Sequence, residues 1–376
     1  MPLFKIVVSL VVTMFISAVI TPFVRRLAFV LGAVDKPNAR RVNTKPMPTM
    51  GGLAIFLAFT FATFVLLRPQ FNTHMLFSLF GAEAVVIITG MIDDIKELTP
   101  KQKMLGLIIA ALVVYFLAGV RMTEVNLGFI HFELGWLSLP ITLLWIVGIT
   151  NAVNLIDGLD GLATGVSIIS LSTMGIIGFF FLTTAEVGTP IMIFTLVAAL
   201  IGFLPHNFHP AKIFLGDTGS LFIGFMLSVL SLQGLKNVTF ISLIIPIIAL
   251  GVPITDTLFA IIRRLLNRVP ITQADKHHLH HRLMQMGLTH RQTVLVIYGI
   301  ELIFSMIALL YPLSSVLGNI LLTVGVVFGL ELFVELIGLL GPNRTPMLYL
   351  IKHTVRKLSR EGELVQNKTD DKQSKH

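Results

Sequence analysis

Apolar runs of about 17–25 residues, the length that crosses a bilayer core as a helix, recur along the whole of this chain and are separated by short polar stretches. They fall near residues 3–24, 51–67, 76–92, 104–120, 136–153, 161–183, 189–205, 219–235, 239–262, 292–311 and 316–339. Hydrophobic residues make up 55% of the 376 and charged residues 13%, where a soluble domain carries roughly a quarter charged. The expectation is an all-α polytopic membrane protein with about eleven transmembrane helices. Residues 3–24 could pass for a signal peptide, but the run is long, lacks a small-residue cleavage signature and is followed by Arg25 and Arg26. It is therefore expected to be the first membrane helix. Cysteine is absent, which excludes disulfides and thiolate metal sites.

The cations are unevenly divided. Of the 28 Lys and Arg, all but Lys5, Arg68, Arg121 and Lys236 lie in segments 25–50, 93–103, 206–218, 263–291 and 341–376. Cytoplasmic loops carry the excess of Lys and Arg, so this side is expected to be cytoplasmic, with the N-terminus outside and the C-terminus inside. The net charge of +8 thereby reports orientation in a membrane rather than a nucleic-acid partner, and none is expected. Residues 1–340 are expected to form one transmembrane domain, and 341–376 a basic, partly disordered cytoplasmic tail. Lys352, Arg356, Lys357 and Arg360 flank apolar Leu350, Ile351, Val355 and Leu358 there, a pattern suited to a helix on anionic headgroups.

Polar chemistry collects on the same side, in DKPNARRVNTKPMPTMGG (35–52), IDDIKELTPKQK (92–103), NAVNLIDGLDG (151–161), HNFHPAKIFLGDTGS (206–220) and ADKHHLHHRL (274–283). One site assembled from several loops is the economical explanation. Asn151, Asn154 and Asp157 recur every three residues, along one face of a helix, and Asp160 continues the spacing. Ionisable groups at the membrane boundary are usually functional. Asp93 and Asp94 are adjacent acids that need a nearby cation to stay ionised. Asp217 stands at the opening of a span between Gly216 and Gly219, where backbone can approach a phosphate closely. Oxygen ligands without thiolates suit a hard cation such as Mg2+, which binds carboxylates together with substrate phosphates. Phosphoryl chemistry on a metal-bound diphosphate at the inner membrane face follows.

Five motifs in order, VDKPNARRVNTKPMPTMGG, DDIKE, NAVNLIDGLDGLATG, HPAKIFLGDTGS and HLHHRL, resemble the polyprenyl-phosphate N-acetylhexosamine-1-phosphate transferases across residues 20–340. The similarity points to the bacterial undecaprenyl-phosphate GlcNAc-1-phosphate transferase branch, which begins wall teichoic acid and related envelope glycans. It implies Mg2+, or Mn2+ in its place, and three partners: UDP-GlcNAc, undecaprenyl phosphate and the lipid bilayer of the plasma membrane, with a homodimer as a further expectation. It also implies roles. Asp217 and Asn154 resemble the metal-binding pair, and Asp93 and Asp94 the paired acids near the lipid phosphate, with Asp93 the usual base. Lys103 matches a lysine near the diphosphate, and Lys45, Asp157 and Asp160 the nucleotide-binding set, with Asp157 carried among the catalytic residues. His278, His280 and His281 match H-x-H-H and, with Arg282, are expected on sugar or diphosphate oxygens, whereas His277 is an extra and Glu97 replaces the third acid of DDxxD.

Other classes fit less well. A secondary transporter places its acids near mid-bilayer in opposed repeats, whereas these cluster at one face. The pentapeptide transferases of peptidoglycan synthesis are the alternative within the family. The imidazoles of KHHLHHRL have zinc-ligand spacing, but Lys276, Arg282, Arg263, Arg264 and Arg268 around them repel a dication.

Overall fold

The computed structural model describes residues 2–35, 46–126, 131–181, 187–234, 241–270, 277–338 and 347. The helices are α1 (Leu3–Leu31), α2 (Gly52–Phe61), α3 (Thr73–Lys96), α4 (Pro100–Val113), α5 (Ser138–Ile156), α6 (Leu162–Phe180) and α7 (Gly188–Asn207). They continue as α8 (Gly216–Gly234), α9 (Ile241–Ala249), α10 (Gly251–Leu266), α11 (Leu279–Gln285), α12 (His290–Leu310) and α13 (Val316–Ile337). Single π turns, Ala62–Leu66 and Val114–Ala118, extend α2 and α4. Among the described residues, strands are confined to two short antiparallel pairs, Val34–Asp35 with Met47–Pro48 and Glu124–Asn126 with His131–Glu133. The protein is an all-α polytopic membrane protein. Eight described helices are long and apolar enough to cross a membrane, and Gly52–Leu66 is a shorter apolar one. Each expected span coincides with one helix except 239–262, which holds two.

Helix α8 is the centre of the bundle. It packs on α3, α5 and α2, while α7 packs on α1 and α6. Leu221, Phe222, Ile223, Phe225, Met226 and Leu227 of α8 are fully buried. By contrast α1 and α13 present large apolar side chains outward, among them Phe4, Phe15, Leu317 and Phe328, as helices facing lipid must. Lipid supplies no hydrophobic drive for helices to associate, so small residues that bring backbones together matter most. A Cβ on Gly52 would stand 2.0 Å from Gly219 Cα, and one on Gly90 2.5 Å from Thr218 Cα. Helices α2 and α3 thus meet the first turn of α8 backbone to backbone.

The break between α9 and α10 departs from the single span expected there. Pro246 lies within α9, and Gly251 and Pro253 open α10, so the i→i−4 ladder cannot run through. A helix start inside the membrane leaves N–H groups that water cannot satisfy. Glu301 of α12, fully buried, supplies the acceptors: Oε2 takes the Val252 N–H at 3.0 Å, and Oε1 takes the Ser170 hydroxyl of α6 at 2.6 Å. One carboxylate therefore ties three helices together. The tail expected after 341 lies outside the described residues except Met347, whose N–H donates to Glu335 Oε1 at 2.8 Å.

Replacing Glu301 by Leu leaves the Val252 N–H buried without an acceptor and the Ser170 hydroxyl with only Val166 O, and should destabilise the bundle by about 1–3 kcal/mol, the cost of one stranded group. Glu301→Gln, which keeps a carbonyl acceptor, should lose less. Thermal melts of both variants in one detergent check the order.

Candidate active site

The site begins where α3 ends against α8. The first N–H groups of a helix have no acceptor within it. In α8 they find Asp94: its Oδ1 accepts the Asp217 N–H at 3.0 Å, and its Oδ2 accepts the Thr218 N–H at 3.0 Å and the Thr218 hydroxyl at 2.6 Å. The approach leaves no room for a side chain at Gly216, where φ is +72° and a Cβ would lie 2.6 Å from Asp94 Oδ2. The loop just before Gly216 is held by PMPTMGG, since Gly51 and Gly52 donate N–H to Phe214 O and Leu215 O at 3.0 Å each.

Adjacent residues on a helix point about 100° apart, so Asp93 faces a different partner. Its Oδ1 accepts the Leu98 N–H at 2.6 Å and its Oδ2 pairs with Lys103 Nζ at 2.6 Å. Lys103 rises from the first turn of α4, which is fixed by a capping box of Thr99 and Gln102. The same ammonium lies 3.1 Å from Asp217 Oδ1. Asn154, in the last turn of α5, donates through Nδ2 to Asp217 Oδ1 and, at 2.8 Å, to Ser220 Oγ. Asp93, Lys103, Asn154 and Asp217, drawn from four helices, thus form one connected group.

A cavity of about 980 Å³ opens over this group, also lined by Asp94, Glu97, Asp157, Asp160, His280 and His281. Burial pushes the Asp157 carboxyl well above its ordinary range, and the charges of Asp217, Asp94 and Asp160 push the same way. His280 rests on Gly158, where a Cβ would lie 2.6 Å from its Nε2. Burial first, and His281 second, push its imidazole down to about 3, so it is a neutral ring at physiological pH. Among the described residues, Lys103 is the one Lys or Arg in the wall.

Several residues stand elsewhere than in the cavity. Asn151 donates to Val147 O at 2.7 Å within its own helix and does not line the cavity. His277 and Arg282 do not line it, and Lys45 lies outside the described residues. His278 is buried away from it, with Nδ1 2.7 Å from Asp256 Oδ2, while Asp256 Oδ1 accepts the Leu279 N–H at 2.7 Å. Asp256, inside the apolar run GVPITDTLFA, is a residue that sequence reasoning missed. It caps α11 and thereby aims His280 and His281. His209 and His290 also line the cavity unanticipated, beside Asp160.

The sequence profile of glycosyl transferase family 4 matches residues 76–235, which hold Asp93, Asp94, Lys103, Asn154 and Asp217. A probable undecaprenyl-phosphate N-acetylglucosaminyl 1-phosphate transferase of Bacillus subtilis is 47% identical over 315 residues, 83% of this chain and 86% of that one. The chain belongs to glycosyl transferase family 4. A decaprenyl-phosphate N-acetylglucosaminephosphotransferase of Mycobacterium tuberculosis is 37% identical over 75% of this chain and 77% of its own. A phospho-N-acetylmuramoyl-pentapeptide-transferase of Halalkalibacterium halodurans is more distant within the family, at 31% over 82% of this chain and 96% of its own.

Asp256→Ala removes the acceptor of the Leu279 N–H. Amide exchange across 278–285 should accelerate at least about tenfold, because local opening is governed by such bonds, while exchange in α8 stays unchanged. Hydrogen-exchange mass spectrometry reads both segments.

Proposed function

We propose that this family 4 enzyme transfers GlcNAc-1-phosphate from UDP-GlcNAc to undecaprenyl phosphate, giving undecaprenyl-diphospho-GlcNAc and UMP at the cytoplasmic face of the plasma membrane. The observation that carries the reading is the Lys103 ammonium held between Asp93 and Asp217 on the floor of the cavity. The likeness to the Bacillus and mycobacterial enzymes supports the sugar and the lipid, and the one-sided distribution of Lys and Arg supports the orientation.

In this reaction an oxygen of the lipid phosphate attacks the β-phosphorus, and the bond from that phosphorus to the bridging oxygen of UMP breaks. The phosphate monoester has a second pKa near 6, so the nucleophile arrives largely ionised. Both Asp93 oxygens are engaged, one by Leu98 N–H and one by Lys103. That suits Asp93 to holding the ammonium in place rather than to removing a proton. Lys103 meets the charge that develops on the transferring phosphoryl group. Asp94 holds Asp217 and the N-terminus of α8 in register with it. The neutral His280, with His281, faces the sugar-diphosphate as a hydrogen-bonding surface.

The donor set fits a hard dication. Asp93, Asp94, Asp157 and Asp217 put four acidic side chains around one ammonium, and the amide oxygen of Asn154 has no partner among the described residues. Asp217 and Asn154 would hold Mg2+, or Mn2+ in its place. When bound, the ion neutralises diphosphate charge and helps the leaving phosphate depart.

Purified protein given labelled UDP-GlcNAc, undecaprenyl phosphate and Mg2+ should form a lipid-linked product, and should not with UDP-GalNAc or UDP-MurNAc-pentapeptide. No lipid product from any of the three sinks the reading, and product from the pentapeptide donor alone moves the chain to the peptidoglycan branch. Lys103→Met should lower kcat by about 10²–10³-fold, the loss typical of a preorganised charge at a transition state. Full activity in Asp217→Asn would remove the proposed metal ligand.

A further inference from the structure

One end of the cavity is built from three segments far apart in sequence: Asp160 in the turn between α5 and α6, His209 in the loop before α8, and His290 at the start of α12. Their side-chain ligand atoms lie within 4.8 Å of one another. By composition this could be a transition-metal site. The hydrogen bonds argue for another task. The Asp160 backbone N–H donates to His290 Nε2 at 2.9 Å. A ring nitrogen that accepts from an amide is unprotonated and its lone pair is engaged, so His290 is the neutral Nδ1–H form and Nε2 is closed to a cation. Asp160 Oδ2 is 2.8 Å from His209 Nδ1 and accepts the Ala211 N–H at 3.1 Å. A carboxylate oxygen only accepts, so His209 Nδ1 carries the proton and donates it. The two imidazoles stack with centroids 4.3 Å apart and planes 24° apart, so each limits the tilt of the other.

The result is an asymmetric carboxylate. Oδ2 is held by two donors, and Oδ1 has no partner among the described residues while the side chain lines the cavity. We propose that His209 and His290 are positioning residues that lock Asp160 so that Oδ1 alone is offered to an N–H or O–H donor of the bound nucleotide sugar. The inference rests on the nucleotide-sugar reading above. Phosphate oxygens are repelled by a carboxylate, so this end takes the uncharged, donor-bearing part of the molecule and Lys103 takes the diphosphate. His290 acts through the backbone of Asp160 and His209 through its side chain. Neither touches the reacting atoms.

The two contacts use different ring nitrogens, which separates them by substitution. The amide of Gln reaches the place of Nε2, and that of Asn the place of Nδ1. His290→Ala should raise KM for UDP-GlcNAc about tenfold, the worth of one hydrogen bond in a partly buried site, with kcat and the KM for undecaprenyl phosphate within about twofold of the parent. His290→Gln should recover most of the loss and His290→Asn little, while at His209 the order should reverse, Asn recovering and Gln not. Calorimetric titration with UMP and, separately, with Zn2+ completes the test, each variant first matched to the parent by thermal melt. Equal rescue by Gln and Asn, a fall in kcat with KM unmoved, or Zn2+ binding that is lost in His290→Ala would each overturn the proposal. A parent that binds UMP but transfers nothing sinks the transferase reading alone, and the variants' UMP affinities then decide the positioning role. A parent that binds neither UMP nor UDP-GlcNAc overturns both.

Discussion

Asp94 accepts two backbone N–H groups and one hydroxyl from the first turn of α8, and the placement of every other group on the cavity floor depends on that contact. The N-terminus of a helix carries partial positive charge and unpaired donors, so a carboxylate delivered from α3 satisfies both demands at once. The contact fixes the rotation of α3 about its own axis. With Asp94 turned to α8, Asp93 is turned about 100° away, to Leu98 N–H and Lys103. The paired acids are thus one residue for architecture and one for charge. Their proximity is tolerable because different partners hold them. Asp217 Oδ1, paired with both Lys103 and Asn154, closes the circuit between α8, α4 and α5.

Such a contact needs backbones that can come close. Gly52, Gly90, Gly216 and Gly219 leave the space that brings α2, α3 and the loop before α8 onto its first turn. The chain places its membrane-buried polar groups by the same logic. Glu301 caps the broken span at Val252, and Asp256 caps α11 at Leu279. A helix start shielded from water is stable only where a neighbouring side chain supplies the acceptor, and here an acid from another helix does so in all three cases.

The apolar runs were legible because length and hydropathy are local properties, and the order of the five motifs located Asp93, Asp94, Asn154, Asp157, Asp160, Asp217, His280 and His281, all of which line one cavity together with Lys103, six residues beyond DDIKE. What escaped was pairing. His278 shares its motif with His280 and His281, yet alternates away from them toward Asp256, 22 residues earlier in the chain. Nothing in a hydropathy profile marks one acid within GVPITDTLFA as the partner of a particular imidazole. His290 was passed over as the threshold of span ten, although Thr289 and Gln292 spell a capping box that begins the helix there. That signal would have placed His290 in the first turn, at the same face as the other polar groups. The break in span nine was foreshadowed by Pro246, Gly251 and Pro253, which a window average smooths over.

The electrostatics of the cavity set a condition on whatever it binds. Four acidic side chains and one ammonium on the floor, joined by Asp160 at one end, make an acidic wall. A diphosphate brought against such a wall unaccompanied would be repelled. Lys103, whose charge is shared between Asp93 and Asp217, offsets this only in part. In the proposed reaction a dication on Asp217 and Asn154 would offset that repulsion, so metal and substrate are expected to bind with strong mutual dependence. The same acidity keeps the phosphates away from Asp160, where a carboxylate oxygen is open to a neutral donor. Charge alone can therefore set which end of an elongated anionic substrate faces Lys103 and which faces Asp160.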